Sequence, residues 1–198
     1  MSRAVLVAAL AATLLFISAD LVALRQWKGY DYIHQSMTQL AAIGAPTRSW
    51  TLPLSLGHDL ALLVVGVALW LVAGRNVALR ITASLVIVGA ITWLVGGLFP
   101  ARIGETPQRL SPAVILGATA VVASVLAIVF GAAALSGWFR VISVGVLAAF
   151  ALLTVLGLMQ TSPRTGLQER VMAYTTLGWT ILLGVAVMTA SAGQSTSV

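Results

Sequence analysis

Asp20, His58 and Asp59 are ionisable residues set inside long apolar stretches, and any chemistry in this chain is sought there first. An acid placed in a membrane segment costs about 2.5 to 3.5 kcal/mol on insertion scales, so it calls for a partner or a task. Asp20 falls about one turn before the end of the first apolar stretch and Asp59 about two turns into the second, so at 1.5 Å per residue the two are expected at similar depth on one hairpin. His58, Arg102, Arg109 and Arg170 are the candidate partners. Imidazole titrates near neutrality, which makes His58 and Asp59 a conceivable acid–base pair. Adjacent helical residues nevertheless point about 100° apart, and a histidine resting at the membrane boundary without a catalytic task is the stronger expectation. With two histidines, no cysteine and no H-E-x-x-H spacing, no metal is expected. Glycine-rich phosphate loops and G-x-S-x-G elbows are also absent, and no cofactor is expected.

These residues are carried by a very apolar chain. Of its 198 residues 60% are hydrophobic and 8% charged, with mean hydropathy +1.03, far from the roughly 25% charged residues of soluble domains. Apolar windows recur at 4–24, 52–73, 81–99, 112–135, 141–159 and 171–190, each near the roughly 20 residues that a helix needs to cross a bilayer. Their continuous apolarity excludes a transmembrane β-barrel, whose strands alternate. The expectation is an all-α membrane protein, a six-helix bundle forming one domain over residues 1–192, with a flexible tail at 193–198. Arg3 and the small residues near Ala19 give the first window the outline of a secretory signal. Its apolar run continues past Asp20 to Leu24, so it is read as a retained span.

The even-numbered connections, 74–80 and 136–140, are short and share one face with both chain ends. The odd-numbered connections, 25–51, 100–111 and 160–170, are longer, and each holds a Pro near an Arg (Pro46 and Arg48, Pro107 and Arg109, Pro163 and Arg164). Function concentrates in such loops. In the first, Asp31 can cap a short interfacial helix with Ile33, Met37 and Leu40 on its apolar face, closed by Gly44 and Pro46. Trp27, Tyr30, Tyr32 and Trp50 suit one aromatic belt, and Trp70, Trp138 and Phe139 the other. A count of Lys and Arg alone places the odd loops in the cytoplasm. Because several odd-face arginines lie near Asp31, Glu105 or Glu169, they are assigned to a site instead, and the termini are expected on the cytoplasmic side of the cell membrane. The +6 net charge is scattered singly at helix ends, which fits anionic headgroups and not nucleic acid.

Gly29-Tyr30-Asp31, Gln35 through Leu40, Gly44 to Pro46, Phe99-Pro100 and Gly166-Leu167-Gln168-Glu169-Arg170 before Trp179 together resemble a bacterial and archaeal six-span membrane family, domain of unknown function 998. The resemblance covers nearly the whole chain. It implies six helices, a membrane location and no established activity, and it points to Tyr30, Asp31, Gln35, Ser36, Phe99, Pro100, Gly166, Glu169 and Arg170. The chain departs from the family pattern in three places. A Ser-Glu-Leu element reads Thr38-Gln39-Leu40, the acid after Phe-Pro is replaced around Ala101 and Arg102, and histidines near the start of the fourth helix are missing from 111–119. If the family uses that acid and histidine for chemistry, this member lacks it.

The candidate pocket on the odd face therefore takes Asp20, His58, Asp59 and Arg109 from the ionisable pattern. Tyr30, Asp31, Gln35, Ser36, Glu169 and Arg170 join them from the resemblance. Glu169 suits the positive end of the sixth helix, and Arg109 and Arg170 would meet an anionic head with Asp59 and Asp20 balancing them. The leading expectation is a membrane protein binding a lipid or small amphiphile there. The alternatives are an intramembrane enzyme acting on a lipid or isoprenoid with Asp59 and His58 as acid and base, and a transporter or accessory subunit of a complex. Membrane lipids are the expected partners, and a protein partner or second copy stays open.

Overall fold

The computed structural model describes residues 1–104, 111–159 and 165–195. Among them are six long helices: α1 (Ser2–Gln26), α2 (Arg48–Val72), α3 (Val77–Gly96), α4 (Pro112–Ala134), α5 (Trp138–Met159) and α6 (Thr165–Ser195). All six are long and apolar enough to cross a membrane. Each helix packs beside the next in the chain and α6 returns against α1, so the bundle closes as a ring. Its interior is lined largely by small residues such as Ala9, Ala12, Ala83 and Ala127, which let helices approach closely. Between 22% and 39% of each spanning window is buried in the bundle, leaving the larger outward part for lipid.

Two close approaches fix the helix registers. A side chain at Gly184 would come within 2.9 Å of the Leu6 backbone, so α6 and α1 touch there only because position 184 has no Cβ. At Gly131 a Cβ would meet the Trp179 ring at 2.6 Å. That indole is buried, donates from Nε1 to Ser143 Oγ at 2.9 Å and stacks obliquely on Phe139. Phe139, expected in an aromatic belt, is instead 1% exposed. Trp179 offers it an interior partner, whereas neighbouring Trp138 stays outside at 46%.

The helix limits shift the expected spans. α2 starts at Arg48, not near residue 52, because Thr47 and Ala45 carbonyls already accept from Thr51, Trp50 and Arg48 N–H groups. α3 stops at Gly96, and Gly97 to Phe99 continue as turns closed on Trp93, Val95 and Gly96. α6 starts at Thr165 and runs to Ser195, which extends the helix into the segment expected as a tail.

In the first odd loop the expected interfacial helix is replaced by a turn at Asp31 and one turn of 3-10 helix, Met37–Ala41. Asp31 Oδ1 does accept from the Ile33 and His34 N–H groups, yet the segment closes as a turn and Ser36, at φ −60° and ψ 143°, lies outside the helical region. Of the proposed apolar face Leu40 is buried and Ile33 is 42% exposed. Thr47 and Thr51 hydroxyls both donate to the Leu40 carbonyl at 2.7 Å, and Arg48 donates to that of Ala41, tying the loop to the start of α2. A one-residue bridge, Ile43 with Arg102, joins it to the loop after α3.

Candidate functional site

Asp20 sits on the last turns of α1 and Arg170 in the second turn of α6, and the close packing of these two helices brings them together. Arg170 Nε lies 3.1 and 3.2 Å from the two Asp20 oxygens, and Nη2 2.9 Å from Oδ1. The pair is almost wholly buried, Asp20 at 2% and Arg170 at 1% exposure. Guanidinium carries five N–H donors. The others go to the Tyr32 and Gly166 carbonyls from Nη1, at 3.0 and 3.2 Å, and to the Tyr30 hydroxyl from Nη2, at 3.2 Å. Every donor is thus engaged by this chain. Asp20 is equally occupied, since Oδ2 also accepts from Tyr174 at 2.8 Å and Tyr32 at 3.2 Å.

The loop 30–37 folds over this pair. The Tyr32 ring lies 3.7 Å from Arg170 Cζ and the Tyr30 ring 5.5 Å, so the cation is covered by two aromatic faces. Tyr30 donates onward to the Gln35 and Ser36 carbonyls, both at 3.0 Å, and Gln35 Oε1 accepts from the Asp31 N–H at 2.7 Å. Burial is the main influence on the Tyr30 and Tyr32 phenols and raises both above the usual tyrosine value. Asp31 remains at the surface, where a hydrogen bond from His34 at 2.8 Å holds its carboxyl below the usual range.

Glu169 does not serve the N-terminus of α6, because that helix begins four positions earlier at Thr165. Its carboxylate instead accepts from Ser36 Oγ at 2.8 Å and from the Met37 N–H at 2.7 Å, anchoring the start of the 3-10 helix. The α6 terminus finds its partner in the same loop, with Leu167 N–H donating to the Ile33 carbonyl at 3.0 Å. Gly166 makes this approach sterically feasible: a Cβ there would lie 2.2 Å from the Gln35 oxygen and 2.7 Å from that of Tyr32.

Asp59 and His58 stand apart from this cluster. His58 Nδ1 donates to the Ala12 carbonyl at 2.9 Å, and its ring lies 5.2 Å from that of Phe16. This registers α2 against α1 eight positions before Asp20, so Asp59 lies roughly 10 Å deeper in the bundle. The expected common depth fails because α2 begins earlier and pairs with the middle of α1. The same register sets His58 beside the middle of α1, buried at 9% exposure, and not at the boundary position expected for it. Asp59 is 7% exposed and has no hydrogen bond or ion pair among the described residues. None of the expected partners His58, Arg102 and Arg170 bonds to it; Arg109 lies outside the described residues.

Tyr174 and Phe16 escaped the sequence reading. Both were accessible to it by helical spacing, for Tyr174 follows Arg170 by four residues and Phe16 precedes Asp20 by four, placing each on the same helix face. The Phe16 ring meets Tyr174 edge-on at 5.6 Å and so lies between His58 and the tyrosine that donates to Asp20. Among the described residues no group of three or more His, Asp or Glu is arranged to hold a metal ion.

A ring of six spanning helices, with a loop clasped over one end by a buried ion pair, defines a multi-pass α-helical membrane protein. The chain belongs to the family described as protein of unknown function (DUF998), whose sequence profile matches residues 10–186. Comparison with curated proteins and with solved structures returned no match.

Proposed function

We propose that this protein is a membrane-embedded lipid-interacting protein whose odd face engages anionic headgroups. The observation that carries this reading is the division of labour among the basic residues of that face. Arg170 has spent its donors on Asp20, Tyr30, Tyr32 and Gly166, whereas Arg25, Lys28 and Arg102 are exposed and without an ion pair among the described residues. Asp31, the exposed acid of the described odd-face loops, is already engaged by His34. The headgroup contact expected of Arg170 thus passes to these outer cations, and the clasp serves as the framework that holds their loops. Each basic residue near an anionic surface contributes about 1 kcal/mol.

Cytoplasmic termini would require the odd-face arginines to be tied to acids, and among the described residues Arg170 is the arginine in an ion pair. Besides Arg170, the sequence carries six Lys and Arg on the odd loops (Arg25, Lys28, Arg48, Arg102, Arg109, Arg164) against four on the even face (Arg3, Arg75, Arg80, Arg140). The positive-inside tendency and the anionic cytoplasmic leaflet both favour the odd loops in the cytoplasm.

Native mass spectrometry of the purified protein with matched anionic and zwitterionic lipids tests the lipid reading. Preferential retention of the anionic lipid, reduced about fivefold for each of Arg25→Ala, Lys28→Ala and Arg102→Ala, is expected. Equal retention of both lipids, unchanged by the substitutions, would refute it.

A further inference from the structure

We infer that Asp59 is a proton-binding carboxyl set in the interior of the membrane span, with H+ as its ligand. Asp59 lies near the middle of the 25-residue helix α2 and is 7% exposed. It shares a helix face with Gly66, seven positions on, which lies against Ile87 and Ala83 of α3.

The second observation is what surrounds it. The chain shows at Asp20 how it accommodates a buried ionised carboxylate: Arg170 and two tyrosine hydroxyls supply donors to both oxygens. Nothing comparable is built at Asp59, which has no hydrogen-bond or ionic partner among the described residues. The Asp59 oxygens are not fully enclosed, yet a charged carboxylate among apolar helices without donors or a cation is strongly disfavoured, and the acid neutralises instead. A proton is also the one ligand that needs no cavity. The grooves described on the bundle lie elsewhere, one at Ala4, Ala8, Ala61 and Val64, the other at Trp138, Phe139 and Thr189.

The titratable surroundings are sparse. On α1, Asp20 is held by Arg170, while Arg3 and Arg25 are at the helix ends; α3 offers only Arg80, at its opposite end. Arg48, at the start of α2, donates to the Ala41 carbonyl, and the 3-10 helix Met37–Ala41 has no titratable side chain. His58 is the remaining neighbour. A carbonyl can only accept, so the bond to Ala12 puts the ring proton on Nδ1 and leaves the Nε2 lone pair unspent. Asp59 and His58 are therefore the two buried groups of this region with capacity to exchange a proton. The exposed cations of the odd face play no part in this inference.

Labelling with a hydrophobic carbodiimide tests it on the full chain in detergent or liposomes. The neutral carboxyl adds across one C=N bond: its oxygen bonds to the central carbon and its proton passes to nitrogen. The resulting O-acylisourea rearranges by an O-to-N acyl shift to a stable N-acylurea, so the adduct has the mass of protein plus reagent. Peptide mapping is expected to find this adduct on Asp59, with a yield that falls at least several-fold as pH is raised, and not on the ion-paired Asp20. Asp59→Asn removes it and Asp59→Glu retains it; the wild-type map stands even if a variant misfolds. A pH-independent yield, labelling of Asp20 in preference, or equal labelling by a water-soluble carbodiimide would overturn the inference, as would protection by Na+ at constant pH.

Discussion

Asp20 and Arg170 are separated by 150 positions in the chain, yet they form a buried ion pair in which the guanidinium engages both carboxylate oxygens. Neither partner can be lost cheaply. Removing one member of such a pair leaves the other charge buried and costs about 3 to 5 kcal/mol. Asp20→Asn and Arg170→Gln should each reduce stability by that order, measured by reversible unfolding in mixed micelles. Arg170→Lys should fail to restore it, because an ammonium has three donors where this site uses five. Full rescue by Lys would show that charge alone suffices.

Gly166 decides whether the loop can rest on α6. Gly166→Ala forces the Gln35 and Tyr32 carbonyls away, since the added methyl would fall 2.2 and 2.7 Å from them. A loss of about 1 to 3 kcal/mol is expected for such overpacking. Hydrogen exchange should speed up at residues 31–41 while α3 and α4 are unaffected. Unchanged exchange in that loop would mean that the backbone accommodates the methyl.

Glu169 anchors the 3-10 helix through Ser36 and Met37. Glu169→Gln keeps an acceptor and Glu169→Ala removes it. Exchange at Met37 should increase modestly in the first and strongly in the second, with a cost of about 1 to 3 kcal/mol for Ala. Identical behaviour of the two variants would argue that the carboxylate is not an anchor.

The clasp should also respond to alkali. Burial raises the Tyr30 and Tyr32 phenols above their ordinary value of 10.0. The fold favours their neutral forms, so the associated stability is fully present below pH 10 and is lost as pH rises through the folded-state values. Tyrosinate absorbance should therefore lag behind that of a free tyrosine and appear together with loosening of the loop. Ionisation at the ordinary value with the structure intact would contradict this.

Orientation can be read directly, because the chain has no cysteine. Single substitutions Lys28→Cys and Arg75→Cys place one thiol on each face. A membrane-impermeant maleimide applied to intact cells should label the second and spare the first. The opposite pattern would restore cytoplasmic termini.

The sequence by itself determined the all-α class and the six spans, because the length and continuity of apolar runs are local properties that a bilayer reads directly. It also singled out Asp20 and Asp59 as costly residues in an apolar chain, with Arg170 as one of four candidate partners. Which acid meets the arginine was decided only by the tertiary structure. Asp20 and Asp59 look alike in sequence, but the registers of α1 against α2 and α6, set by contacts such as His58 with Ala12 and Gly184 with Leu6, send one to Arg170 and leave the other alone. The turn that replaces the expected interfacial helix has the same origin. Its residues bond to Glu169 and to the α6 terminus, more than a hundred positions away, and a partner at that distance has no local signature.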